Sequence, residues 1–255
     1  MKKLVLLFAV ACFIMSCNVT ESIVFNNDMS GKYSSSFDLS PMLQYASSNR
    51  PSSVEEEEKE KRDTIIVFND LFKAYKDSIA SLSEEQRARL EKLRGTTMEV
   101  HMDEAEDVFT FSMTRPFQDF SELKEMNGQL DATFDVMKEM ENKDGKASGA
   151  QLDKMTEDEE TTYTFKDNTF SRFVKVEEEE KVEEEAETDD FSKQFEEVFS
   201  QSYNTLIYTF PRKVKSVSQK GAVISEDGKT VTYKVPWNEI HKDNTLINLE
   251  VILED

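Results

Sequence analysis

"LIYTFPRKVKSVSQKGAVISEDGKTVTYKV", residues 206–235, is the stretch whose reading decides the fold. Leu206, Tyr208 and Phe210 recur at every second position, and so do Val231, Tyr233 and Val235, the period of a half-buried strand. Between them Val214 to Val217 supplies a shorter strand. Glu226-Asp227-Gly228-Lys229 carries the Asp-Gly pair that two-residue hairpin turns favour, so the last two strands fold back on each other. Beyond the stretch, Ile247, Leu249, Val251 and Leu253 alternate in the same way. The tail is antiparallel β-structure.

Upstream the same hairpins recur with helical patterns between them. Ile23 and Phe25 face Tyr33, Phe37 and Leu39 across Asp28-Met29-Ser30-Gly31, where Gly31 is expected to take the positive φ of a tight reversal. Ser40 then reads as an N-cap with Pro41 at the first helical position, starting a short helix over 41–46. Phe68, Phe72, Tyr75, Ile79 and Leu82 recur at spacings of three and four, one face of an amphipathic helix. Ser83-Glu84-Glu85-Gln86 is a capping box that opens a second helical piece through Leu90 and Leu93, ended by Gly95. Met98, Val100 and Met102 alternate against Glu99 and His101, and Phe109, Phe111 and Met113 alternate against Thr110 and Ser112, with a turn over 103–107. A helix carrying Phe120, Leu123, Met126, Leu130, Phe134 and Met137 on one stripe follows. A third hairpin turns at Lys166-Asp167-Asn168 with Tyr163 and Phe165 facing Phe170, and a helix with Phe191, Phe195, Val198, Phe199 and Tyr203 comes after it.

The order is ββα three times, then strands. Helices that fall between hairpins imply an α+β fold with largely antiparallel sheets built from ββα units and helices layered on one face. Residues 17–255 are expected to form a single α+β domain, either undivided or as two packed halves of about 17–145 and 160–255. Polar, acidic stretches near 47–63, 141–160 and 177–190 read as solvated loops.

The first residues concern location. Met1-Lys2-Lys3 precedes an uncharged apolar run from Leu4 to Met15, the pattern of a secretory signal and too short to cross a bilayer. Ile14-Met15-Ser16-Cys17 resembles the bacterial lipobox, which implies that residues 1–16 are removed and that Cys17 becomes a lipid-bearing N-terminus. One acyl chain holds a protein marginally and two or more hold it firmly. Asn18, rather than Asp, after the anchor favours the outer over the inner membrane by analogy with retention rules. Cys12 and Cys17 are the chain's two cysteines, so a mature protein starting at Cys17 has no second thiol for an internal disulfide or a thiolate metal site.

The formal charge is −21, becoming −23 once Lys2 and Lys3 leave with the signal. Such a body is repelled by nucleic-acid phosphates and by anionic headgroups, so it stays at a membrane only if tethered. A local exception runs from Tyr208 to Pro236, where Arg212, Lys213, Lys215, Lys220, Lys229 and Lys234 face Glu226 and Asp227. It reads as lysine guarding exposed edge strands or as a contact for an anionic partner.

Chemistry is sparse. His101 lies on the polar side of its strand and His241 in a loop context, neither beside a cysteine or second histidine. No glycine-rich phosphate loop or nucleophile elbow occurs, and among the many carboxylates nothing prefers a pair such as Glu104 and Glu106. The chain is therefore expected not to be an enzyme, with no cofactor and no metal site. Its apolar inventory is unusual, with 18 Phe and 11 Met. Met98, Met102, Met113, Met126 and Met137 fall on stripes facing the sheet-helix interface, as a filled core or as the wall of a cavity for an acyl chain.

The tail also resembles a pattern found in bacterial lipoproteins related to LppM. There an aromatic strand ends in Phe-Pro, a Val/Ser-rich strand follows, and an Asp-Gly hairpin leads into a Thr-Val-Thr-aromatic strand ending Val-Pro. Phe210-Pro211, Asp227-Gly228 and Thr230 to Pro236 match. Arg212 replaces the commoner glycine, the acidic loops are foreign to the pattern, and the family's C-terminal transmembrane helix has no counterpart here. The resemblance implies an α/β domain that binds lipid and transfers no binding residue. The functional expectation is a non-enzymatic envelope lipoprotein, anchored to the membrane through Cys17, that binds a hydrophobic ligand or a protein partner. The alternative is a structural or assembly scaffold acting through protein contacts.

Overall fold

Asn18–Phe25 (β1) and Gly31–Asp38 (β2) pair antiparallel with Ile23 opposite Tyr33, in a computed structural model that describes residues 18–48, 59–126, 161–175, 202–240 and 242–255. Their reversal is built differently from expectation. Met29, not Gly31, holds the positive φ of 64°. Glycine is needed at 31 for space, because a Cβ there would lie 2.2 Å from the Val24 carbonyl oxygen and 2.6 Å from a Phe117 ring carbon. The next helix, Ser40–Ser48 (α1), begins where expected, but the Ser40 hydroxyl accepts from the Phe109 N–H at 3.0 Å and ties the helix start to a distant strand.

Lys61–Val67 (β3) is a strand where a loop was expected through residue 63. Its charged first half hides the alternation that Thr64 and Ile66 show against exposed Ile65, and pairing with Thr97–Asp103 (β4) supplies its hydrogen bonds. Phe68–Ala74 (α2) and Lys76–Ala80 (α3) follow, broken at Tyr75, which is 59% exposed rather than part of the apolar face. Glu84–Lys92 (α4) starts with the expected capping box: the Ser83 hydroxyl accepts from the Gln86 N–H, and the Gln86 side chain accepts from the Ser83 N–H. Gly95 ends that segment with φ 80°.

Val108–Phe117 (β5) completes the first half, and Phe120–Met126 is a 3-10 helix. The remainder of the helix expected to reach Met137 lies outside the described residues, as do the acidic stretches 141–160 and 177–190. Thr161–Lys166 (β6) and Thr169–Val174 (β7) turn through Asp167 and Asn168, both at positive φ, with Phe165 opposite Phe170 as expected. Tyr203–Thr209 (β8) takes Tyr203 into a strand rather than the end of a helix, with its ring under the Lys234 ammonium at 3.9 Å. Val214–Val217 (β9), Val223–Ile224 (β10), Thr230–Pro236 (β11) and Leu249–Leu253 (β12) form the tail.

These strands make two sheets. One has eight strands in the order β10-β11-β8-β1-β2-β5-β4-β3, and the other has four in the order β6-β7-β12-β9. Every described pairing is antiparallel except that of β1 with β8, so the α+β, largely antiparallel architecture holds. Both covering layers sit on one face of the large sheet. Over β2, β4 and β5, Phe68, Phe72 and Leu93 pack on Phe37, Met98, Phe111 and Met113. Over β1, β8 and β11, the small sheet brings Tyr163, Phe170, Leu249, Val251 and Leu253 against Ile23, Phe25, Leu206, Tyr208 and Val231. The tail strands divide between the sheets, so β9 and β12 stitch the small sheet to the large one.

Rings close this second interface. Phe25 lies 5.3 Å from Phe210, 5.4 Å from Phe170, 5.9 Å from Phe117 and 6.1 Å from Phe120, centroid to centroid. Burying each such side chain contributes roughly 1.5–3 kcal/mol, and the edge-on and stacked contacts add to it.

Candidate functional site

Glu21 sits on β1 in phase with Ile23 and Phe25, so its side chain points inward, and it is only 8% exposed. Three side chains meet its carboxylate. Tyr208, on the neighbouring strand, donates its hydroxyl to Oε1 at 2.5 Å, and Tyr163, on β6, donates to the same oxygen at 2.9 Å. Arg172, on β7 in phase with Phe170 and Val174, brings Nε and Nη2 to 3.3 Å from Oε2. Its remaining donors reach the Ile247 carbonyl at 3.2 Å and the Thr161 hydroxyl at 3.4 Å. Burial pushes the Tyr163 and Tyr208 hydroxyls well above the ordinary phenol value, and the Glu21 charge pushes them further the same way. Tyr33 is raised for the same two reasons. For Arg172, burial opposes the charge, but Glu21 and the two tyrosines outweigh it, and the net shift is upward. The cluster is a closed, charge-paired knot between the two sheets. Its donors and acceptors are spent on one another, which suits a clasp better than a reacting centre.

Among the described residues no helix or second sheet packs on the opposite face of the large sheet, which is lined by hydroxyls. Cross-strand register sets Asn18, Asp38, Thr110, His101 and Asp63 in one row over β1, β2, β5, β4 and β3. The next row is Thr20, Ser36, Ser112, Glu99 and Ile65. A shallow concavity of about 420 Å³ lies over these two rows. At its end His101 Nδ1 pairs with an Asp63 carboxylate oxygen. Further along the face, Ser34 and Thr114 hydroxyls bond each other at 3.1 Å, as do Thr209 and Thr230 at 3.0 Å.

Comparison with solved structures finds the folded domain of the Mycobacterium tuberculosis LppM protein, determined by NMR. The TM-score is 0.39 and the identity 8%, over 94% of this chain and 91% of that one. At that identity no residue's role passes from that domain to this chain. No protein-family model matches the chain, and no curated protein matches it.

Of the residues singled out from sequence, Cys17 and His241 lie outside the described residues. His101 is on the open face of β4, as its alternation implied, but in a pair with Asp63 rather than alone. Glu104 and Glu106 fall in the β4–β5 turn, where Glu104 accepts from the Glu60 N–H at 2.8 Å. Met98, Met113 and Met126 are buried and Met102 is half-buried, while Met137 lies outside the described residues. In the basic tail, Arg212 donates to the Glu254 carbonyl and the Asn168 side chain, both at 3.0 Å, so part of that charge pins the C-terminus. Sequence reading missed the Glu21 and Arg172 pair. The signal was present in each strand as a charged residue in phase with the apolar set, but nothing in one dimension said that the two would meet. Among the described residues no group of three or more His, Cys, Asp or Glu is arranged to hold a metal ion, and no helix is long and apolar enough to cross a membrane.

Proposed function

We propose that the chain is a lipid-tethered protein of a bacterial envelope, non-enzymatic, whose folded body docks a protein partner through the rims of its large sheet. The resemblance of Ile14-Met15-Ser16-Cys17 to a lipobox supports the tether. The observation that carries docking over an enclosed lipid is the packing between the layers: the Phe and Met stripes close on each other, and the polar knot at Glu21 is internally satisfied. What the molecule offers a partner lies outside. Among the described residues β3 and β10 end the eight-stranded sheet, and they expose Ile65 at 69% and Val223 at 65%. An edge strand with exposed β-branched residues is a ready acceptor for a strand from another chain. The tether places this body close in, because β1 begins one residue after Cys17 and leaves no linker to extend.

The experiment is expression of the full chain in a bacterial host followed by fractionation and mass measurement. The expected mature protein starts at Cys17, carries acyl mass, sediments with membranes and copurifies with one stoichiometric protein. Cys17→Ser is expected to release it, and Ile65→Lys to lose the partner while the protein stays folded and tethered. An unacylated, freely soluble product would remove the tether. A stoichiometric lipid held within the fold by native mass spectrometry, with no partner, would replace docking by carriage of a hydrophobic ligand.

A further inference from the structure

We propose that the concavity on the open face binds an uncharged saccharide chain. Its chemistry is set by hydroxyls that have nothing else to do. Elsewhere on this face cross-strand hydroxyls satisfy one another, as Ser34 does with Thr114 and Thr209 with Thr230. Within the concavity the Thr20, Ser36, Thr110 and Ser112 side chains make no hydrogen bond among the described residues, although register puts Thr20 opposite Ser36, Ser36 opposite Ser112, and Thr110 opposite His101. Adjacent strands lie about 4.8 Å apart, and same-face residues along a strand about 6.8 Å. The sheet therefore holds these groups as a rigid grid in which each can donate and accept.

The lining selects the ligand by exclusion. Asp38, Asp63 and Glu99 surround the grid and no Lys or Arg lines it, so phosphate, sulfate or carboxylate groups are repelled. An acyl chain would strip water from hydroxyls and carboxylates without replacing their hydrogen bonds. A neutral sugar matches the hydroxyl grid and the carboxylate beside it. Its hydroxyls pair with Thr20, Ser36, Thr110, Ser112 and the carboxylate of Glu99, and its C–H face can rest on Ile65 at the rim. The volume of about 420 Å³ lies within the range of ligand clefts. This pocket lies on the other face of the sheet from the two apolar clusters and away from β10, and it includes Asp63, Thr64 and Ile65 of β3. Only its nearness to a membrane, through Asn18 beside Cys17, rests on the tether.

The test is titration of the ¹⁵N-labelled full chain, in detergent micelles, with neutral hexasaccharides of glucose, mannose and N-acetylglucosamine, and with a hexasaccharide of glucuronic acid as the anionic control. At least one neutral chain is expected to give saturable amide shifts confined to the strand segments around Thr20, Ser36, Glu99 and Ser112. The anionic control is expected to give none. Ser112→Val should weaken that binding about tenfold, and Thr209→Val, on the same face but outside the concavity, should leave it unchanged. Ser36→Ala serves the same purpose should Ser112→Val unfold. Absence of shifts with all three neutral chains, preference for the anionic one, shifts spread over the whole face, or equal loss in Thr209→Val would each overturn the site.

Discussion

At the scale of single residues the molecule's largest commitment is Glu21. A carboxylate and a guanidinium have been taken out of water between two sheets, and each is tolerated only because the other is there. Glu21→Leu or Arg172→Met alone should each destabilise by about 3–5 kcal/mol, since each strands the other charge. The combined Glu21→Leu/Arg172→Met protein should lose clearly less than the sum of the two, the residual cost being the Tyr163 and Tyr208 hydroxyls left without their acceptor, read as urea midpoints in a double-mutant cycle; additive losses would mean that the two do not act as a pair. The same knot sets an alkaline limit. Tyr33, Tyr163 and Tyr208 have folded-state pKa values raised above the ordinary 10.0 of tyrosine, so the unfolded chain releases those protons first. Stability from this source is fully present below about pH 10 and falls as pH rises beyond it. Tyr163→Phe should make the fall shallower, monitored by denaturation across the alkaline range with phenolate absorbance as the marker of ionisation. A slope unchanged in that variant would count against the knot as its origin.

At the scale of elements, Gly31 and Gly228 do different jobs and should respond differently. Gly228 has φ 76° and ordinary contacts with Lys213, so Gly228→Ala should cost roughly 1–2 kcal/mol, the penalty of a left-handed backbone with a Cβ. Gly31 has no such angle, but its missing Cβ would collide with the Val24 carbonyl of the paired strand. Backbone cannot yield as a side-chain tip does, so Gly31→Ala should lower the denaturation midpoint further than Gly228→Ala. Ser83→Ala should cost about 1 kcal/mol by removing the cap of α4, visible as faster amide exchange in that helix. Elements with strong local grammar were legible in the chain: the capping box at Ser83, the Asp227-Gly228 hairpin, and the strands carrying Phe109, Phe111 and Met113. β3 was not, because its first three residues are charged and its alternation emerges only when β4 is beside it. Nor was the break at Tyr75, where the ring has the right spacing for the buried stripe but ends in solvent.

For the molecule as a whole, β1 is the keystone. It lies between β2 and the parallel strand β8, and it carries Ile23 and Phe25 in the core as well as Glu21. A protein beginning at Asn18 should therefore melt as the full chain does, whereas one beginning at Asn26 should fail to fold, judged by circular dichroism and by loss of amide dispersion. The pairing of β1 with β8 joins residues some 185 positions apart, as in Asn18 opposite Tyr203, and no local pattern announces it. The sequence by itself determined the α+β class, the hairpins, the acidic charge and the candidate anchor at Cys17, because periodicity, turn chemistry and charge are properties of neighbouring residues. Only the tertiary structure decided that the tail strands divide between two sheets, that Glu21 meets Arg172 and two tyrosines, and that unpaired hydroxyls share one concavity. Those depend on which distant segments come together, and that is settled by how apolar faces from the whole chain can be buried at once.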